Sequence, residues 1–356
     1  MLIARAPLRV SFAGGGTDLE AYYSRFGGAV VSATINKYFY VFLSRTIDDM
    51  VQITSSEFRT FERVDAEEGD SGEGDLAYLK SILSEFGIAR GLCVFTASEV
   101  PPGTGLGSSS TVAVALVKAL ATLCQRRASK QEIAELASYI EIVKEGRPIG
   151  LQDQFAASFG GLNWIEFRPE GTSVSPIQLS LELRDQLERS LMLFYTGASR
   201  NAATILDSQK RSSSDRSSSV TKSLHGIKGD AFAMREALET GRMREIGEIL
   251  HRSWQRKRLL ATGVSNDRLD RLYQTALDAG ASGGKITGAG GGGFLLLYCE
   301  PENQGRVTSA LRGFGVARMA FHLDDGGAQV LVNSVPHVPG LSYPEGKWIG
   351  TGVAYA

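Results

Sequence analysis

The sequence has few cysteines, and their spacing matches neither a metal site nor a disulfide framework. Cys93, Cys124 and Cys299 lie far apart among 356 residues, with no Cys-x-x-Cys pair and no cluster of histidine and cysteine. Such usage is typical of free thiols in a reducing compartment. We therefore expect buried free thiols and no structural zinc.

Long apolar runs and an excess of one charge are also missing. No apolar run reaches the ~18 residues that a membrane span needs, and residues 1–9 lack a signal-peptide layout. The 38 basic and 39 acidic side chains give a formal net charge of −1, so no global field favours nucleic acid. These absences predict a soluble, cytoplasmic protein that binds neither nucleic acid nor a membrane.

Glycine, in contrast, is abundant, and much of it is clustered. The chain has 41 glycines, with clusters at 14–16, 103–107 and 288–293. One ligand with several phosphates would explain three such clusters, because glycine lets backbone amides approach a ligand closely.

The second cluster is the most informative. It reads Pro101-Pro102-Gly103-Thr104-Gly105-Leu106-Gly107-Ser108-Ser109-Ser110-Thr111 and precedes an apolar run to Leu123. Hydroxyl side chains at a helix start cap free N–H groups, and bare amides at a helix N-terminus bind anions. The pattern predicts a phosphate site; the alternative is an ordinary glycine-rich turn before a helix.

Two familiar nucleotide motifs do not apply. Residues 288–293 match Gly-x-Gly-x-x-Gly, but the dinucleotide fold needs this motif between a strand and a following helix. Here the apolar run 294–299 predicts a strand instead, which argues against a nicotinamide or flavin site. The Walker pattern is also absent, since Ser108 stands where its lysine would be.

The periodicities predict a mixed chain of strands and helices. Predicted strands are 2–13, 29–35, 38–44, 50–54, 92–97, 162–167, 191–195, 294–299, 317–321 and 328–332, with a turn at Asn36-Lys37 joining the second and third. Predicted helices are 76–86, one begun by a capping box at Ser129 to Glu132, 227–239, 243–260, 267–279 and 307–314. An acidic surface loop is expected at 67–75, and a serine-rich mobile loop at 212–219. We predict two domains, 1–180 and 181–356.

Phosphoryl transfer assisted by a metal needs a phosphate cradle, a magnesium site and a group for the acceptor's proton. Magnesium takes hard oxygen ligands, which Ser109 or Ser110 and one carboxylate would supply. The candidate carboxylates are Glu141 and Asp153. The alternatives are a solvated helix carboxylate for Glu141 and a turn residue for Asp153.

Three segments of the sequence resemble the motifs of one known protein family. Arg5-Ala6-Pro7-Leu8-Arg9-Val10-Ser11-Phe12-Ala13-Gly14-Gly15-Gly16-Thr17-Asp18 resembles the first motif of the small-molecule kinases that include galactokinase, homoserine kinase, mevalonate kinase and phosphomevalonate kinase. Residues 102–110 and 285–292 resemble the second and third motifs, in the right order. The resemblance implies an α+β fold: an N-terminal ATP-binding domain like the second domain of ribosomal protein S5, and a ferredoxin-like C-terminal domain. ATP and the acceptor would bind in the cleft between the two.

The resemblance also implies roles for single residues. The second motif would bind ATP through Pro102, Gly103, Thr104, Gly105, Leu106, Gly107, Ser108, Ser109 and Ser110. Ser109 and Glu141 would hold Mg²⁺, Asp153 would be the catalytic base, and Arg9 would lie near the transferred phosphate. Gly15, Gly16, Thr17, Asp18, Asp153, Gly290 and Gly291 would bind the acceptor.

One departure from the family pattern bears on the acceptor. Galactokinases read Gly-Glu-His-Thr-Asp where this chain reads Gly14-Gly15-Gly16-Thr17-Asp18, which puts galactose in doubt. That segment, Thr196-Gly197-x-x-Arg200 and His251-x-x-Trp254-x-x-Lys257-Arg258 together resemble the D-glycero-D-manno-heptose 7-phosphate kinases. This resemblance implies phosphorylation at the anomeric O1 to give a heptose 1,7-bisphosphate for nucleotide-heptose synthesis, as used in lipopolysaccharide or capsule.

The phosphate on C7 of such an acceptor needs cations; Arg200 is the first candidate, with Lys257 and Arg258 behind it. The alternative for Lys257 and Arg258 is a solvated helix face, and Trp254 is expected in the core. Three other functions stay open: a sugar-1-kinase for fucose, a hexose or an amino sugar; a catalytically silent sensor; and a dinucleotide-binding oxidoreductase. The expected partner is a small-molecule sugar phosphate, and a homodimer stays open.

Overall fold

The computed structural model of the protein describes residues 1–48, 50–56, 59–64, 76–197 and 219–335. Within these ranges the chain forms one eight-stranded sheet, one four-stranded sheet and the helices packed on them. This confirms the predicted α+β class. The predicted loops at 67–75 and, up to residue 218, at 212–219 lie outside the described residues, as does Arg200.

The strands are β1 (Leu2–Ala13), β2 (Gly28–Arg45), β3 (Val51–Ser55), β4 (Thr60–Val64), β5 (Leu92–Ser98), β6 (Leu162–Arg168), β7 (Gly171–Pro176), β8 (Leu191–Tyr195), β9 (Gly283–Ile286), β10 (Phe294–Tyr298), β11 (Ala317–Met319) and β12 (Gln329–Asn333). The α-helices are α1 (Glu20–Phe26), α2 (Ala77–Glu85), α3 (Ser108–Leu123), α4 (Lys130–Ser138), α5 (Gln152–Phe159), α6 (Leu181–Ser190), α7 (Ser219–Glu239), α8 (Met243–Lys257), α9 (Asp267–Asp278) and α10 (Gln304–Arg312). A π-helical segment, Tyr139–Lys144, follows α4, and a short 3₁₀ helix, Pro301–Asn303, precedes α10. None of the helices in the described ranges is long and apolar enough to cross a membrane.

The larger sheet is built around β2. Its order is β12-β1-β2-β5-β3-β4, and β6 pairs with both β2 and β7. The predicted turn at Asn36-Lys37 is wrong, because β2 continues through it and its pairing with β1 only shifts register between Pro7 and Arg9. Asn36 is occupied elsewhere: its backbone N–H donates to the His322 carbonyl at 2.9 Å and its side chain accepts from the His322 N–H at 2.8 Å.

The hydrophobic core connects the two sheets. One buried cluster contains Leu8 and Val10 of β1 together with Leu193 of β8 and Leu296 of β10. A second cluster lies between the larger sheet and helices α2, α3 and α4, and a third lies between the smaller sheet and helices α9 and α10. The last strand, β12, pairs with β1, so the C-terminal half contributes a strand to the larger sheet. The division at 180/181 stays a prediction.

Helix ends depend on caps, and one of two predicted caps is present. Ser129 and Glu132 form the capping box at the start of α4. The predicted hydroxyl cap of α3 is wrong: the cap is Gly107 with φ of 81°, and no side chain bonds to the first-turn amides. The Thr111 hydroxyl instead donates to the Gly107 carbonyl at 2.9 Å. The first amides of α3 are thus left for a ligand.

Substitution of Gly105 tests the close backbone contact that the fold requires. Gly105 has φ of 78°, and a Cβ there would lie 2.6 Å from the Thr287 carbonyl oxygen, whereas Gly87 has φ of 67° and open space around it. Gly87→Ala should lower the free energy of unfolding by the left-handed strain alone, roughly 1–2 kcal/mol. Gly105→Ala should lower it by about 1–3 kcal/mol more, because backbone must also move. Urea denaturation of both variants measures this, and equal losses would contradict the contact.

Candidate active site

The three glycine loops, residues 14–18, 103–107 and 287–293, converge on one place. The second and third contact each other through their backbones: a Cβ on Gly288 would lie 2.4 Å from the Gly105 Cα, and one on Gly293 would lie 2.2 Å from the Thr104 carbonyl oxygen. The Thr287 hydroxyl donates to the same Thr104 carbonyl at 3.2 Å. Because residue 293 is followed by strand β10, the third loop is not a dinucleotide motif, as predicted.

The two predicted catalytic residues form an ion pair beside the second loop. Arg9 donates from Nε to Asp153 Oδ1 and from Nη2 to Asp153 Oδ2, both at 2.7 Å, and from Nη1 to the Gly105 carbonyl at 2.6 Å. The Arg9 side chain is 3% exposed and that of Asp153 is 22% exposed. A Cβ on Gly107 would lie 3.2 Å from Asp153 Oδ2. Arg9 therefore fixes a partly open carboxylate at the N-terminus of α3.

The first loop is shaped by its own side chains. Asp18 accepts from the Gly16 N–H at 2.8 Å and from the Gln152 N–H at 3.3 Å, so both carboxylate oxygens bond to backbone. Burial, followed by the charge of Asp153, raises the pKa of Asp18. The Thr17 hydroxyl is buried and accepts from the Ala29 N–H at 3.0 Å. Thr17 and Asp18 therefore hold the loop, while Gly15 and Gly16 are partly exposed.

Glu141 lies in a buried polar cluster on the π-helical segment. It is completely buried, accepts from Arg147 Nη1 at 2.7 Å on Oε1 and from Gln154 Nε2 at 2.7 Å on Oε2. Burial raises its pKa, although the charge of Arg147 acts in the opposite direction. The alternative of a solvated helix carboxylate is therefore wrong, and so is that of a turn residue for Asp153, which lies in the first turn of α5.

The two serines that the sequence left open have different surroundings. Ser110 is buried and its Oγ accepts from Gln154 Nε2 at 3.1 Å. Ser109 is half-buried, and its hydroxyl has no hydrogen-bond partner within the described part of the chain. A hydroxyl and a carboxylate are hard oxygen donors, as Mg²⁺ prefers. No group of three or more His, Cys, Asp or Glu side chains in the described ranges could hold a metal. Magnesium bound by one hydroxyl and one carboxylate would need oxygens of phosphate or water as its other ligands.

Two buried lysines lie behind the loops. Lys257 Nζ donates to the Gly288 carbonyl and lies 3.4 Å from the Ile286 carbonyl oxygen. Burial and the charge of Lys285 hold the pKa of Lys257 well below its usual value. Lys257 is thus not on a solvated helix face, whereas Arg258 is partly exposed and pairs with Asp270 at 2.8 Å. Trp254 is in the core, as predicted.

Sequence reasoning missed three polar residues of this region: Arg147, Gln154 and Lys285. Lys285, on β9, is 2% exposed and its Nζ lies 3.4 Å from the Phe12 carbonyl oxygen at the end of β1. Its position at the start of the third motif and the position of Gln154 next to Asp153 were available signals. Arg147 had none, because its contact with Glu141 depends on how the π-helical segment ends.

The chain is similar to known proteins over most of its length. Residues 76–161 match the family model of the GHMP kinases N terminal domain, and residues 234–317 match that of the GHMP kinases C terminal region. A D-glycero-alpha-D-manno-heptose 7-phosphate kinase of Campylobacter jejuni is 35% identical over 316 residues, which cover 86% of this chain and 92% of the relative.

The fold of this chain is also similar to that of solved structures. A crystal structure of a D-glycero-D-manno-heptose 1-phosphate kinase from Bacteroides thetaiotaomicron has a TM-score of 0.76 at 27% identity and covers 94% of this chain and 100% of that chain. The Streptococcus pneumoniae phosphomevalonate kinase, at 18% identity and a TM-score of 0.74 over 91% of this chain and 100% of that chain, shares the fold.

The fold and the converging loops define an ATP-dependent kinase. The chain belongs to the GHMP kinase family, which confirms the resemblance drawn from the three motifs.

Lys285→Met tests the buried charge cluster through its pH dependence. Burial, followed by the charge of Arg9, lowers the pKa of Lys285 to about 8 from its usual 10.5. Between these values the unfolded chain binds more protons than the folded one, so the free energy of unfolding rises with pH across this window. Removing the ammonium should flatten that rise by up to about 1.4 kcal/mol per pH unit.

The measurement is urea denaturation of wild type and Lys285→Met between pH 7 and pH 10. The exposed Lys222→Met is the matched control and should keep the wild-type slope. A Lys285→Met slope equal to that of wild type would contradict the buried charge.

Proposed function

We propose that the protein transfers the γ-phosphoryl group of Mg-ATP to the anomeric O1 of D-glycero-D-manno-heptose 7-phosphate, giving a heptose 1,7-bisphosphate for nucleotide-heptose synthesis in the cytoplasm. The observation that carries the proposal is the Arg9–Asp153 pair at the start of α3. The acceptor class is supported by the name of the Campylobacter jejuni relative. It is also supported by the first loop, which has Gly15 and Gly16 in place of the larger side chains of galactokinases.

Asp153 would take or orient the proton of the acceptor hydroxyl. Its carboxylate is partly open to solvent and held on both oxygens by Arg9. A carboxylate oxygen that a substrate can reach accepts a hydrogen bond from its hydroxyl group. Arg9 would also stabilise charge on the transferred group, since a guanidinium suits phosphate oxygens.

The phosphates of ATP would lie over the second loop, where the first amides of α3 have no side-chain cap. Ser109 and Glu141 would hold Mg²⁺ there. Magnesium, when bound, neutralises charge on the β- and γ-phosphates. The two Glu141 oxygens accept from Arg147 and Gln154, and Gln154 also bonds to Ser110 next to Ser109.

The phosphate of the acceptor needs a separate cation. The sequence predicts Arg200 and Lys257 for it, but the Lys257 ammonium donates to the carbonyls of Gly288 in the third loop and Ile286 in β9. We therefore assign Arg200 to that phosphate and Lys257 to holding Gly288 and its neighbours in place beneath the ligands.

Asp153→Asn should lower the rate of phosphoryl transfer by at least ~100-fold, the usual scale for a general base, and leave ATP binding in place. The change keeps the size of the side chain while removing its charge. Steady-state ADP release and equilibrium ATP binding measure the two effects. Asp185→Asn, in an exposed pair with Arg189, is the control, and near-normal turnover by Asp153→Asn would rule out the role.

The acceptor is tested by ADP release from Mg-ATP with D-glycero-D-manno-heptose 7-phosphate, the corresponding 1-phosphate, sedoheptulose 7-phosphate, mannose, fucose and galactose. The 1-phosphate is included because the two heptose kinases carry different names. We expect selective turnover of the 7-phosphate. Turnover of fucose or a hexose alone would make the protein another sugar-1-kinase, and ATP binding without any turnover would favour the sensor.

A further inference from the structure

Two polar atoms without a hydrogen-bond partner lie beside Gly15 in the first loop. Ser11 Oγ and Gln152 Oε1 are both buried, and neither has a partner among the described residues. A Cβ built on Gly15 would lie 3.5 Å from Ser11 Oγ, 3.9 Å from Gln152 Oε1 and 3.6 Å from Gln152 Nε2. Three polar atoms therefore face one small space next to Gly15.

Neighbouring polar side chains are hydrogen-bonded within the fold, whereas these two atoms are not. Asp18 and Thr17 bond to backbone within a few residues of Gly15. A buried polar atom left unpaired costs free energy, and native structures contain few of them. Ser11 Oγ and Gln152 Oε1 therefore each have a free hydrogen-bonding position that a ligand can fill.

Ser11 and Gln152 lie close in sequence to the proposed catalytic residues, Arg9 and Asp153. Ser11 lies two residues after Arg9 on β1, and alternate residues of a strand share a face. Gln152 immediately precedes Asp153 at the start of α5. Ser11 is 5% exposed, while Gly15 and Gln152 are partly exposed, so Ser11 forms the inner wall of the space.

We propose that Ser11, Gln152 and Gly15 form a pocket that reads one hydroxyl group of the acceptor sugar, and that Gln152 is a specificity-determining residue. The hydroxyl would donate to Gln152 Oε1 and accept from the Ser11 hydroxyl, which satisfies both unpaired atoms. Glycine at position 15 leaves the room. This inference rests on the proposed function, since it requires a polyhydroxylated acceptor at Asp153.

Gln152→Met and Ser11→Ala test the pocket. Each should raise the KM for the acceptor about tenfold or more, as expected when a buried hydrogen-bonding group is left unpaired. The KM for ATP should stay within about twofold of wild type, because the second loop is unchanged. The ligand-free variants should be as stable as wild type or more stable in urea, since each loses an unpaired buried atom. Gln274→Met, on the exposed face of α9, is the matched control and should change nothing.

Monodeoxy analogues of the acceptor give a readout that a structural role would not move. Wild type should reject the analogue that lacks the paired hydroxyl, and Gln152→Met should lose most of that rejection. The double variant should be less than additive, because both side chains hold the same group.

Three results would overturn the inference. Variants with wild-type acceptor kinetics would remove the pocket while leaving the proposed function intact. A joint rise of both KM values with lower stability would show that the two residues only support the fold. If wild type phosphorylates none of the sugars, the proposed function fails and the pocket fails with it.

Discussion

The backbone contact between the second and third glycine loops is the constraint on which the rest of the site depends. A side chain at Gly105, Gly288 or Gly293 would meet backbone atoms of the opposite loop. This contact fixes strand β10 and its sheet against the start of α3, and it places Lys257 beneath Gly288. The glycines are therefore required twice, once for ligand access and once for joining the two halves of the chain.

The charged side chains of this region differ in how far they are buried. Arg9, Lys257 and Lys285 are buried, and burial, followed by the charge of a neighbouring cation, lowers the pKa of both lysines. Asp18 and Glu141 are also buried, whereas Asp153 keeps a partly open side chain. Buried cations beneath bare amides favour an anion above them. The same arrangement leaves Asp153 as the carboxylate that an acceptor can reach.

Sequence reasoning predicted the features that local chemistry determines. The glycine motifs, the capping box at Ser129 and the family resemblance needed only short segments. It failed where contacts between distant parts of the chain determine the local structure. Asn36 is typical of a turn, but it lies within β2, where its polar groups are hydrogen-bonded to the backbone of His322. For Glu141 the sequence left a solvated helix carboxylate open as the alternative, and the structure buries it beside Gln154 of α5.

The pairing of β12 with β1 has a consequence for synthesis on the ribosome. Leu2 is opposite Asn333, and the Ser334 hydroxyl donates to the Met1 carbonyl across 333 positions of sequence. Until residues 329–333 are made, β1 has one open edge, which is a template for wrong pairing. Contacts of such sequence separation slow folding. The strand that carries Arg9 can therefore reach its final surroundings only after residues 329–333 have been translated.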